Sequence, residues 1–199
     1  MAGDSTLVKE LRQKTGAGIR DCKQALVENA DDIGKAIDWL RQKGLATAGK
    51  KAGRATNEGV IASYIHPGSK VGVLIEVNCE TDFVARNDEF QSLVRDLTLQ
   101  IAASKPAYVR REDVSQDIVD KEMDIYRAQA KEMGKPQASW DKIAGGKLEK
   151  FYQDNCLLEQ PFVKDPNLKI ADLLTQKIAK TGENITVSRF TRYQLGEEE

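Results

Sequence analysis

The stretch Val60-Ile61-Ala62-Ser63-Tyr64-Ile65-His66-Pro67-Gly68-Ser69-Lys70-Val71-Gly72-Val73-Leu74-Ile75-Glu76-Val77 decides the fold class. Two β-rich runs flank the turn formers His66-Pro67-Gly68-Ser69, which predicts a hairpin with a loop of four or five residues. Both runs are apolar almost throughout, so the sheet they open must be covered on at least one face. The segment Ile185-Thr186-Val187-Ser188-Arg189-Phe190-Thr191-Arg192-Tyr193 alternates with period two and reads as a last strand. Most of the remaining chain carries helical patterns. The class is therefore α+β: a helical N-terminal module, then an antiparallel sheet flanked by helices.

Upstream of the hairpin, three short apolar stripes follow one another. Leu7, Val8 and Leu11 precede the break Thr15-Gly16-Ala17-Gly18, and Ile19, Cys22, Ala25 and Leu26 form the second stripe. Asp31-Asp32 opens the third, Ile33, Ala36, Ile37 and Leu40, and Gly44 is placed to end it as a left-handed cap. Residues 1–45 thus read as a three-helix module, 46–55 as a small, basic linker whose composition also suits a helix, and 56–199 as the α+β core. Downstream, Phe90, Leu93, Val94, Leu97 and Ile101 predict a helix halted at Ser104-Lys105-Pro106. A charged helix over 115–133 ends at Gly134. Another follows Pro136, carrying Trp140, Ile143, Leu148 and Phe151 and weakened by Gly145-Gly146, and a final one starts at Ile170.

The 199 residues are 40% hydrophobic and 31% charged, enough for a packed core. Thirty basic against thirty-one acidic residues leave a charge of −1, which disfavours a protein that coats nucleic acid. Cys22, Cys79 and Cys156 are odd in number and far apart, the pattern of reduced thiols in a cytoplasmic protein. The opening MAGDSTLVKE predicts no signal peptide, and no apolar run is long enough to predict a membrane span.

A catalytic constellation is not found. The single histidine, His66, sits before a proline in the hairpin turn and reads as an exposed turn residue. No pair of cysteines has zinc-site spacing. Gly44-Leu45-Ala46-Thr47-Ala48-Gly49-Lys50 has the glycine and lysine spacing of a phosphate-binding loop, but Lys51 follows in place of Ser or Thr and the preceding segment reads as helix. No metal, cofactor or catalytic residue is expected.

Two stretches are more specific. One is Leu7-Val8-Lys9-Glu10-Leu11-Arg12 with Thr15-Gly16-Ala17-Gly18, Asp21-Cys22-Lys23 and Ala25-Leu26. The other is Glu76-Val77-Asn78-Cys79-Glu80-Thr81-Asp82-Phe83-Val84-Ala85-Arg86-Asn87. Together they closely resemble the signature regions of the elongation factor Ts family. Ala102-Ala103-Ser104-Lys105-Pro106, Glu112-Asp113-Val114 and Gln160-Pro161-Phe162-Val163 extend the resemblance over nearly the whole chain. It implies a ubiquitin-associated-like N-terminal domain, a sheet-and-helix core in the short form of the family, and homodimer formation.

The resemblance further implies a nucleotide-exchange factor for the GTPase elongation factor Tu, without catalysis of its own. Thr81, Asp82, Phe83 and Val84 would then enter the GTPase near its magnesium ion, with Asp82 and Phe83 as the inserting pair. Arg12, Ile19, Arg20 and Lys23 would dock the N-terminal domain. On the residues alone, Thr81 or Asp82 instead caps a helical turn with Phe83 and Val84 in the local core, and Ile19 joins the helical core. Two other readings stay open, a ubiquitin-type adaptor and an RNA-binding module resting on Lys50, Lys51 and Arg54.

Overall fold

In a computed structural model, residues 5–197 are described. Residues 1–4, part of the stretch read as free of a signal peptide, and residues 198–199 lie outside them. The order is α1 (Ser5–Thr15), α2 (Ile19–Glu28), α3 (Ile33–Lys51), β1 (Glu58–Ile65), β2 (Val71–Cys79), α4 (Asp82–Ala85), α5 (Asp88–Ser104), α6 (Gln116–Glu132), α7 (Trp140–Asn155), β3 (Pro161–Phe162), β4 (Asp165–Lys169), α8 (Ile170–Thr181) and β5 (Ile185–Gln194). The α+β class holds. The sheet order is β1-β2-β5, with β3-β4 a separate small pair.

The chain divides into two compact units, each assembled from separated stretches. Among the described residues the first comprises 5–60, 77–94 and 172–186, and the second 61–76, 95–171 and 187–197.

In the first unit, α1, α2 and α3 enclose a small core of Val8, Leu11, Cys22, Ala25, Leu26 and Ala36. Gly16 turns the chain out of α1 with φ +66°, a region that glycine enters without steric cost. Asp32 caps α3, its carboxylate accepting from the Lys35 N–H at 3.0 Å. The expected stop at Gly44 does not occur: α3 continues to Lys51, and the left-handed glycine past its end is Gly53, at φ +87°. Ala46, Thr47 and Ala48 sustain the helix, and Gly44 passes α8, where an added Cβ would lie 3.8 Å from that of Ala179. The phosphate-loop look-alike at 44–50 is therefore interior helix. Arg41 pairs with Asp172 at 3.2 Å, and Lys51 donates to the Gly182 carbonyl.

Helix α5 enters this unit through Glu89, whose carboxylate accepts from Lys177 at 2.7 Å and also from Lys180. These hydrogen bonds from α8 hold the Glu89 carboxyl down at about 2.

In the second unit, β2 alternates cleanly, with Val73 and Ile75 buried and Leu74 exposed. The Leu195 N–H donates to the Lys70 carbonyl at 2.8 Å, and Arg189 meets Glu76 at 2.9 Å, so β5 runs antiparallel to β2. Helices α6 and α7 form an antiparallel pair linked by Arg127 and Asp141 at 2.7 Å. Gly145-Gly146 does not break α7. The β3-β4 pair was not foreseen, because two residues of strand carry no periodicity. Its anchor is Gln100, fully buried, which donates to Gln160 Oε1 and the Pro161 carbonyl and accepts from the Val163 N–H at 2.8 Å. This amide network gives the Gln160-Pro161-Phe162-Val163 signature a structural role.

Candidate functional site

Strand β2 ends on Cys79, fully buried, and the chain then turns outward through Glu80 and Thr81 into α4. A four-residue helix has too few internal hydrogen bonds to hold itself, so its order must come from partners outside it. Thr81 is its cap, with Oγ1 accepting from the Val84 N–H at 3.4 Å. The Thr81 carbonyl accepts from the Ala85 N–H at 3.1 Å and from the Cys79 thiol at 3.2 Å. Burial, then the nearby Glu183 carboxylate, push that thiol up to about 11, so it is protonated at neutral pH.

Ala85 is buried, and its carbonyl accepts from Gln91 Nε2 at 2.6 Å. Phe83, between the two fastened ends, is 83% exposed. That overturns the reading in which Phe83 fills the local core, whereas the cap at Thr81 is as that reading had it. Asp82 and Arg86 pair at 2.9 Å one turn apart on the same surface. Val84 is half-buried. The structure thus gathers Thr81, Asp82, Phe83 and Val84 into one turn that presents an aromatic ring beside a carboxylate.

The second set lies on other elements. Arg12 is exposed on α1, and Ile19, Arg20 and Lys23 are exposed on the first turns of α2. Ile19 is 51% exposed, which corrects its placement in the helical core. It shares the helical face of Cys22 and Leu26 but is the first residue of α2 and stands outside the cluster that those residues bury.

Three residues that sequence reasoning passed over hold the turn. The Glu183 carboxylate accepts from the Thr81 hydroxyl at 2.7 Å and from the Thr81 N–H at 3.0 Å. Glu80 accepts from the Asn184 N–H at 2.7 Å, and Asn184 Nδ2 donates to the Arg54 carbonyl at 3.0 Å. That backbone N–H, with Arg54 beside it, keeps the Glu80 carboxyl below its ordinary range. Nothing in the sequence marked this role: the reversal after α8, at Gly182 with φ +77°, is visible only in the fold.

A cavity of about 310 Å³ in the same unit is lined by Lys14, Gly16, Asp21, Lys43, Asp172 and Lys180, among others. Its cations already have acidic partners: Lys14 with Glu10, Lys43 with Asp21, Arg41 with Asp172, and Lys177 and Lys180 with Glu89. Each cation is thus already engaged by a carboxylate of this chain, with Lys177 and Lys180 sharing Glu89. Among the described residues no His/Cys/Asp/Glu group is arranged to hold a metal ion, and no helix is long and apolar enough to cross a membrane.

Comparison with known proteins gives the family. A family model described as Elongation factor TS matches residues 4–197. Elongation factor Ts of Carboxydothermus hydrogenoformans is 60% identical over 193 residues, covering 97% of this chain and 89% of the relative. Those of Moorella thermoacetica and Thermodesulfovibrio yellowstonii are each 57% identical, covering 96% and 99% of this chain and 94% and 98% of the relatives. Identity at this level over almost the full length of both partners leaves no separate region to be explained otherwise. The chain belongs to the elongation factor Ts family and is a translation elongation factor.

Proposed function

We propose that the chain is a guanine-nucleotide exchange factor for elongation factor Tu. It binds the GDP-bound GTPase, disturbs its magnesium site and promotes GDP release so that GTP can bind. One observation carries this reading: a large aromatic side chain, Phe83, stands 83% exposed on a turn fastened at both ends. Exposing such a ring is unfavourable in the free protein, and it gains by entering a partner. Magnesium demands near-ideal octahedral geometry, so a small displacement of its protein ligands weakens it and leaves phosphate charge uncompensated. No group of this chain needs to make or break a bond. The protein acts in the cytoplasm, as a non-enzymatic partner of the GTPase, with no cofactor, nucleic acid or membrane required.

Accelerating release by ~10⁴ corresponds to roughly 5.5 kcal/mol. Burying one phenylalanine contributes about 1.5–3 kcal/mol, so a second region must engage. Arg12, Ile19, Arg20 and Lys23 of the three-helix module supply it, with Ile19 as an exposed apolar residue among cations. The test is release of fluorescent mant-GDP from elongation factor Tu with and without the protein. Linkage adds a second requirement, since GDP must weaken the protein's hold on the GTPase by the same factor that the protein weakens GDP binding. Titrating GDP into the complex is expected to dissociate it. Equal affinity with and without GDP would rule out exchange.

We also propose a homodimer. The outer face of the hairpin carries Ile61, Ile65 and Leu74, exposed and apolar, and Tyr193 of β5 is exposed as well. Such a run of apolar side chains on one sheet face is characteristic of an interface. Sedimentation equilibrium is expected to show a dimer that Ile61→Glu weakens by roughly a hundredfold, because a charge would be desolvated in the joint. A wild-type protein that stays monomeric at high micromolar concentration removes this proposal.

A further inference from the structure

We infer that Glu183 is a positioning residue for the inserting turn, holding α4 in its binding-competent form before the GTPase arrives. The inference rests on the exchange reading above and deepens it. Residue 183 lies about a hundred residues from the turn along the chain, in the reversal between α8 and β5. Its single carboxylate takes both donors of one residue, the Thr81 hydroxyl at 2.7 Å and the Thr81 N–H at 3.0 Å. Hydrogen bonds to an ionised acceptor are shorter and stronger than neutral ones, and two on one residue fix its orientation as well as its place.

The link is reciprocal. Where Glu183 accepts from the backbone of 81, Glu80 accepts from the backbone of Asn184 at 2.7 Å, so each segment's acid satisfies the other's N–H. Asn184 is buried and is itself tied to the Arg54 carbonyl. The far end of α4 is held by Gln91. Between those two anchors α4 has its own turn of hydrogen bonds, from Ala85 to Thr81 and Arg86 to Asp82, the Thr81 cap on Val84 and the exposed Asp82–Arg86 pair. Without Glu183 the Thr81 N–H loses its acceptor, and the start of α4, left with the neighbouring Glu80–Asn184 bond and the Cys79 thiol on the Thr81 carbonyl, frays more readily.

This role has a distinct kinetic signature. A turn that is ordered only part of the time lowers apparent affinity by the competent fraction, but once bound it acts normally. If Glu183→Ala drops that fraction to about a tenth, the concentration giving half-maximal GDP release rises about tenfold while the maximal rate is unchanged. Glu183→Gln keeps an oxygen to accept from the Thr81 N–H and offers an amide that donates to the hydroxyl oxygen, reversing that bond, and is expected to stay within about twofold of wild type. Independently of any partner, hydrogen exchange in the free protein is expected to quicken over 81–87 in Glu183→Ala and to stay unchanged in α6 and α7.

Unchanged exchange over 81–87, or a lower maximal rate at the same half-saturating concentration, would overturn the inference. A failure of Glu183→Gln to recover the wild-type titration would do the same. A wild-type protein that does not accelerate GDP release sinks the exchange reading first, before any variant is compared, and this inference with it.

Discussion

Phe83→Ala is expected to slow stimulated GDP release by roughly a hundredfold at saturating protein, the largest loss from any single side chain of the site. Truncating an aromatic anchor at a protein interface costs about 2–4 kcal/mol, and each 1.4 kcal/mol is a factor of ten in rate. The same change in the free protein removes a ring that is 83% exposed, so it leaves no cavity behind. Thermal stability is therefore expected to stay within about 0.5 kcal/mol of wild type, the range for a surface substitution. That separation makes the experiment decisive. Stopped-flow release of mant-GDP measures the rate, and circular dichroism on the same sample shows whether the fold is intact. An unimpaired maximal rate would remove Phe83 as the intruding group. Loss of rate together with loss of fold would mean that the ring supports this chain and not the partner's disruption. Phe83→Ala should also differ in kind from Glu183→Ala: the first lowers the maximum, the second raises the concentration needed to reach it.

Gly59→Ala is expected to destabilise the protein by about 3 kcal/mol or more, lowering its melting temperature by roughly 10 °C. Gly59 lies in β1 at φ +147°, a conformation L-residues rarely adopt. An added Cβ would strike the Val77 carbonyl oxygen and come within 2.7 Å of the Asn78 Cα. Both are main-chain atoms of β2, so no side chain can swing aside, and strain of the backbone adds to the overlap. The position matters beyond stability, because β2 delivers the chain to Glu80 and Thr81 just past this point. Pushing the strands apart there moves the base of the turn that carries Phe83, so on the proposed exchange role GDP release is expected to slow alongside the fall in melting temperature. Gly146→Ala is the control. It lies inside α7 with nothing within 4 Å, and alanine there is expected to be neutral or to stabilise by up to about 1 kcal/mol. A Gly59→Ala protein that melts within 2 °C of wild type would show that β1 and β2 can separate at no cost.

Much of the site was legible because its residues lie together along the chain. Thr81, Asp82, Phe83 and Val84 form one short run, and a threonine three residues before Val84 is enough to suggest a cap. Whether Phe83 points in or out was not legible. A four-residue turn has no periodicity to mark its buried face, and Ala85 took the inward position. Ile19 escaped for a related reason: it continues the apolar spacing of α2 but stands at the first turn, where the helix has yet to meet its neighbours. Glu183, Glu80 and Asn184 left no sequence signal, since two acids and an amide in turns look like solvated polar residues.

By itself the sequence determined the α+β class, the hairpin, the long helices and the family. Those rest on local periodicity and on long ordered signatures, both of which are properties of neighbouring residues. The tertiary structure decided that α3 runs past Gly44 to Lys51, that Phe83 faces solvent, and that an acid a hundred residues away grips the turn carrying it. A glycine's φ, a side chain's exposure and a carboxylate's partners are set by whatever else occupies the surrounding space. Only folding brings those distant parts of the chain together.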